Sequence, residues 1–237
     1  MKYRKFLALG LSAALCLSTL SACGGAGSSG GEEQVVIYSN ADEEAITAMQ
    51  NALDNNGYKG KYIFQTYGTS ELGGKLLAEG TNLEADLVTM STFYLQSAQD
   101  QNSMFLPLTF DVNTLTEVPD YTAPITSQEG AIILNTELMA SEGLPIDYVD
   151  PAEGNFSLTE SVAVLDKGED TNPLAMEMAQ CIIENGREEL LQTYPNPLYE
   201  GETADPANQS AHPSVFGEPL TFELFQAHQQ LSEAAKG

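Results

Sequence analysis

Three short polar runs mark where this chain could do chemistry: Ser39-Asn40-Ala41, Gly68-Thr69-Ser70 and Ser91-Thr92. Each follows an apolar run and precedes residues with helical spacing, so each reads as the turn from a strand into a helix. In open α/β sheets ligands bind at such turns, outside the carboxyl ends of the strands. The first N–H groups of each helix are unpaired and its dipole favours negative charge, so these turns suit an anion. Ser39, Asn40, Thr69, Ser70 and Ser91 add side-chain donors, and the set is expected to converge on one small oxyanion. Taken singly, Ser39, Ser70 and Ser91 read as helix N-caps, and that alternative stands beside the site reading. Asp42 begins the first helix, where it reads first as a cap and second as a partner for a cationic group on a ligand. Asp86 and Glu129 are further acidic candidates, with solvated surface as their alternative.

The elements that must position these residues follow from periodicity. Gln34 to Tyr38 is a short strand, and Asp42 to Asn56 carries Ala45, Ile46, Met49, Ala52 and Leu53 at helical spacing before Gly57. A strand is expected at Lys61 to Tyr67, a helix from Ser70 to Glu79, a strand at Ala85 to Met90 and a helix from Ser91 to Gln99. This βαβαβ order predicts a doubly wound, mostly parallel sheet with helices on both faces. From Gln101 to Gln128, Pro107, Pro119 and Pro124 break any long element. Further strands are expected at Ala131 to Leu134, Ile146 to Val149 and Ser157 to Leu165. A short helix should follow Asn135 and end near Gly143. Asn172 and Pro173 should start a helix that stops at Asn185 before Gly186, and Leu220 to Ala235 should form the last one.

The amino terminus has its own layout. Lys2, Arg4 and Lys5 precede an apolar run from Phe6 to Leu20 that is short for a membrane span, and Leu20-Ser21-Ala22-Cys23 is a small-residue box ending in cysteine. Residues 1–22 therefore read as a signal peptide and 23–33, rich in Gly and Ser, as a flexible linker. The formal net charge is −25, and every charge before Cys23 is positive, so the remainder is still more acidic. Nucleic acid and anionic membrane surfaces are poor partners for such a chain. Of the three cysteines, Cys16 lies in the signal and Cys23 in the box, which leaves Cys181 without an intramolecular disulfide partner.

Enzyme signatures are missing. The sequence has no Gly-x-Ser-x-Gly elbow, phosphate-loop Gly-Lys-Ser/Thr, Cys-x-x-Cys or His-Glu-x-x-His. The two histidines, His212 and His228, fall in the last quarter, away from the polar turns. No catalytic residue, metal ligand set or cofactor is assigned.

The box at Cys23 resembles that of bacterial lipoproteins, which implies lipid attachment at Cys23 and an extracytoplasmic, membrane-anchored location. The body resembles the extracellular solute-binding proteins of bacterial ABC importers, in the branch that includes ferric-ion, phosphonate and sugar-phosphate binders. The resemblance is carried by Val35 to Glu44, Gly68 to Leu72 with Glu79-Gly80, Glu84 to Val88, Ala131 to Thr136, Tyr148 to Gly154, and Ser161 through Pro195. It implies a type II periplasmic-binding-protein fold, a small anionic solute, membrane permease subunits as partners, and a monomer. It also implies two lobes, for which this chain is short. One lobe should comprise about 34–121 and 148–195, with only remnants of the second at about 131–143 and 204–236, and the strands at 131–134 and 157–165 lying side by side. Where ferric binders place a histidine and a carboxylate, this chain has Asp42 and Ser91, which favours an oxyanion-bearing solute over metal. A metal-binding relative, a truncated remnant that transports nothing and, more distantly, a secreted hydrolase are the alternatives.

Overall fold

The computed structural model describes residues 34–129, 157–194, 196–204, 206 and 221–235. Cys23 with everything before it, the strands expected at 131–134 and 146–149, the helix after Asn135, and His212 lie outside these residues.

Strands β1 (Val35–Ser39), β2 (Tyr62–Thr66) and β3 (Leu87–Ser91) pair in parallel with β1 between the other two. Helices α1 (Glu43–Asn55) and α2 (Thr69–Glu79) connect them, and α3 (Thr92–Asn102) leaves β3. Beyond these come β4 (Ala123–Glu129), β5 (Ser157–Val164), α4 (Pro173–Thr193) and α5 (Phe222–Ala235). The sheet order is β2-β1-β3-β5-β4, and β5 runs antiparallel to both of its neighbours. The parallel half is therefore as expected, and the other half is antiparallel. Insertion of the late strand β5 beside β3 leaves β4 at the sheet edge.

Alternation along the strands builds a core on each face. Val35, Ile37, Leu87, Val162 and Val164 point to one side, where α1 and α4 cover them through Met49, Leu53, Met178 and Ile182. Tyr38, Val88, Met90 and Ala163 point to the other, under Leu72 and Leu76 of α2 and Tyr94 and Leu95 of α3. The α2–α3 approach is close enough that a Cβ on Gly73 would fall 2.3 Å from the Tyr94 ring. Helix α5 rests on α3 through ring contacts, Phe225 to Phe93 and Phe222 to Tyr94, each with centroids 5.4 Å apart.

Two expectations fail for identifiable reasons. The segment read as broken by prolines contains β4. Pro124 is tolerated because β4 is an edge strand and its register shifts between Pro124 and Thr126, so the missing N–H costs no ladder bond that a central strand would need. Ala123–Glu129 pairs with Ser157–Val164; the adjacency expected of 131–134 falls on residues outside those described. The second failure is the end of α4. The cap at Asn172 is as expected, its side chain accepting from Leu174 N–H at 3.1 Å with Pro173 at the first turn, but Gly186 does not stop the helix. Gly186 is buried against α1, where a Cβ would make an ordinary 3.6 Å contact with the Ala52 Cβ, and the helix runs on to Thr193.

Candidate functional site

The carboxyl ends of β1 and β3 and the start of α2 lie together, joined by side-chain hydrogen bonds. Ser39 is fully buried, and its Oγ accepts from Ala41 N–H at 3.1 Å and from Thr89 Oγ1 at 2.7 Å. It closes the turn after β1 and is not the cap of α1. That cap is Asp42, whose Oδ1 accepts from Ala45 N–H at 3.0 Å. Asn40 is the hub. Its Nδ2 donates to Thr69 Oγ1 at 3.0 Å and to Glu160 Oε1 at 2.9 Å, tying the turn after β1 to the start of α2 and to β5.

The hydroxyl residues are not spent on capping. Helix α2 takes Gly68 as its N-cap with no side-chain cap bond, and Thr69 and Ser70 are exposed at its first positions. Ser91 occupies the N-cap position of α3, yet its Oγ makes no cap bond and is buried. Thr92 turns the other way, sharing a 2.8 Å hydrogen bond with Ser161 Oγ and donating to Thr159 O at 3.0 Å. Ser39, Asn40, Thr69, Ser70 and Ser91 are thus placed around one sheet end, with Ser39 inside the turn and the start of α2 open to solvent.

Two residues of this cluster were missed from the sequence. Glu160 stands opposite Ser91 on one side and Thr126 on the other in the strand register. Burial pushes its carboxyl above the ordinary value, hydrogen bonding from Asn40 opposes this, the charge of Asp42 adds to it, and Ser91, near but outside normal hydrogen-bond geometry, opposes it slightly. The signal was present: Glu160 is in phase with Val162 and Val164, an acid on the buried side of an alternating strand. The second is Tyr194 at the end of α4, whose hydroxyl donates to Asp42 Oδ1. Burial first, and then the bond to Asp42, push that phenol well above its usual value. Tyr194 lay past the helix end expected at Asn185, so its position could not be placed.

The other acidic candidates lie elsewhere. Asp86 is buried just before β3, at the opposite end of that strand from Ser91. The Glu129 side chain is outside what the structure describes. Among the described residues no group of three or more His, Cys, Asp or Glu side chains is placed to hold a metal ion.

The fold is shared with solved structures. Iron-bound HitA from Pseudomonas aeruginosa superimposes with a TM-score of 0.58 at 13% identity, over 84% of this chain and 97% of that one. The fructose-6-phosphate complex of AfuA from Actinobacillus pleuropneumoniae gives 0.58 at 11% identity, over 86% and 98%. A periplasmic thiamin-binding protein gives 0.56 at 12% identity, over 83% and 93%. The chain has the type II periplasmic-binding-protein fold. No protein-family model and no curated protein matches its sequence. Within this fold the polar cluster occupies the end of the sheet toward which β5 begins and β4 ends.

Proposed function

We propose that this chain is the extracytoplasmic solute-binding component of an ABC importer, anchored by lipid on Cys23, and that it binds a small organic oxyanion of the phosphonate or sugar-phosphate class. The observation that carries the reading is the start of α2. Its N-cap is a glycine, its first N–H groups have no side-chain cap, and Thr69 and Ser70 stand exposed beside them. A phosphoryl or phosphonyl group there would receive backbone and hydroxyl donors and the positive end of the helix dipole. Asn40 holds Thr69 in place from the neighbouring turn. The neighbours with this fold include proteins described with thiamin, iron and a sugar phosphate, which supports solute binding and leaves the class to be argued from the site. Iron is the weaker choice, because no three His, Cys, Asp or Glu side chains cluster among the described residues. The residues read as remnants of a second lobe, and the lipid anchor, are part of this proposal.

Two measurements test it. Ethylphosphonate and fructose 6-phosphate should each bind the wild type in calorimetric titration. The double variant Thr69→Ala, Ser70→Ala should bind at least about tenfold more weakly, the loss of roughly two charge-assisted hydrogen bonds. Its melting temperature should fall only slightly, since both side chains are exposed and the lost Asn40–Thr69 bond lies at the surface. Affinity equal to wild type in the double variant ends the site assignment. For the anchor, metabolic labelling with a fatty acid should mark the wild type and leave Cys23→Ser unmarked, with the variant recovered in the soluble extract; an unlabelled wild type removes the anchor.

A further inference from the structure

Three buried side-chain polar atoms are left without a hydrogen bond among the described residues: Asn40 Oδ1, Ser91 Oγ and Thr126 Oγ1. All three belong to residues that bond to or pair with Glu160. Asn40 is bonded to Glu160 through its amide nitrogen, and Ser91 and Thr126 are the residues paired with Glu160 on β3 and β4. Directly paired residues on neighbouring strands project from the same face, so both hydroxyls accompany the carboxyl. Ser91 is 0% and Thr126 2% exposed. Buried polar atoms in native proteins are nearly always satisfied, so a common partner for this group belongs among them.

The chemistry of that partner can be read from what is unsatisfied. Glu160 and Asn40 Oδ1 offer acceptors, the hydroxyls of Ser91 and Thr126 accept as readily as they donate, and Asp42 adds a second negative charge nearby. Glu160 has no ion-pair partner among the described residues, whose ion pairs are Lys59–Asp54, Lys75–Glu79, Lys167–Asp86 and Arg187–Glu202. A group with several donors, no acceptor and a positive charge fits, and a primary ammonium has three donors and no acceptor. Water would supply two donors but leave the buried carboxylate uncompensated.

We infer that Glu160 selects a solute bearing a primary ammonium group beside its oxyanion, so that the ligand class is an aminoalkyl phosphonate or a comparable zwitterion. The inference rests on the solute-binding reading above and narrows it. Asn40 is the link between the two halves of the ligand, since one amide nitrogen bonds both Thr69 at the oxyanion end and Glu160 at the cationic end. The groups facing Glu160 are Asn40 after β1, Asp42 at the start of α1, Ser91 on β3 and Thr126 on β4, with Tyr194 from the end of α4 bonded to Asp42.

The test is a titration of the full chain with three matched probes, 2-aminoethylphosphonate, 2-hydroxyethylphosphonate and ethylphosphonate. The wild type should bind the amine at least about tenfold more tightly than either of the others. Glu160→Gln should lose that preference. A measurement on the wild type guards against a variant that fails to fold: the preference for the amine should shrink as pH falls and Glu160 becomes protonated, while ethylphosphonate binding does not follow the same curve. Equal binding of all three probes by the wild type, equal binding of the hydroxyl and amine probes, or an undiminished preference in Glu160→Gln overturns the inference and leaves the solute-binding reading standing. Failure of all three to bind overturns both.

Discussion

Arg187→Met should lower the melting temperature by about 10 °C, reflecting a loss of roughly 3–5 kcal/mol, because it leaves a carboxylate only 13% exposed without its cation. Arg187 sits inside α4 and holds three groups at once through four hydrogen bonds. Its Nε and Nη2 meet Glu202 Oε1 and Oε2 at 2.7 and 2.8 Å, its Nη1 donates to Ile125 O on β4, and Nη2 reaches Asn196 O at 3.5 Å. Glu202 in turn accepts from the N–H groups of Leu198 and Tyr199 at 2.7 and 3.1 Å, and Tyr199 donates to Pro124 O at 2.6 Å. The 196–202 segment is thereby strapped against the edge strand. Removing both charges in Arg187→Met, Glu202→Met should cost less than the single change, since no unpaired ion remains. Burial alone would raise the Glu202 carboxyl, but hydrogen bonds from Arg187 and Leu198 N–H hold it below its ordinary value. A depressed folded value means that its contribution is present above the unfolded value of about 4.3 and is lost as pH falls through the folded one. The gap between wild type and Arg187→Met should accordingly close in acid. A single variant melting within about 2 °C of wild type at neutral pH would show the strap to be dispensable.

The strap also marks where sequence reading runs out. The first half of the fold was legible because β1, α1, β2, α2, β3 and α3 follow one another with short turns, and each buries an unambiguous apolar face. The polar turns could be located for the same reason. Glycine and proline misled where their tertiary setting differs from their local meaning: Gly186 is a helix-packing contact with Ala52, and Pro124 sits on an edge strand. Both are long-range facts that no local window contains. Glu160 was missed because pairing β5 with β3 requires a partner 69 residues away, as the contact of Thr92 with Ser161 illustrates. Asn40 was chosen for its hydrogen-bonding type, and its position as the hub between Thr69 and Glu160 emerged only when those segments were brought together. Asp42 took the cap role that its position at a helix start favoured, and the bond from Tyr194 adds a tertiary anchor to it.

Asp86→Ala should destabilise the protein by about 3 kcal/mol without changing its affinity for a phosphonate. From the sequence Asp86 reads as an acid within the third strand, a site candidate with solvated surface as its alternative, and it is neither. Its Oδ2 accepts from Val36 N–H at 2.9 Å, and its Oδ1 pairs with Lys167 Nζ at 3.2 Å. Its backbone adds bonds to Val36 O at 2.8 Å and from Leu165 N–H at 3.0 Å, so one residue fastens β1, β3 and the end of β5 together. The side chains of the Lys167–Asp86 pair are only 19% and 11% exposed, so the pair is shielded from solvent screening more than a surface ion pair would be. Truncation would remove the side-chain acceptor of the Val36 N–H and leave Lys167 with Glu84 O at 2.9 Å. Asp86→Asn keeps one acceptor for Val36 and should cost clearly less than Asp86→Ala. Affinity should not follow stability here. Asp86 and Ser91 lie at opposite ends of β3, roughly 16 Å apart along an extended strand, beyond the reach of any ligand small enough to span Thr69 and Glu160. Thermal melts paired with titration at a temperature where both proteins are folded separate the two quantities. A variant that melts like wild type would remove the fastening role, and one that loses affinity while keeping its stability would place Asp86 in the binding machinery after all.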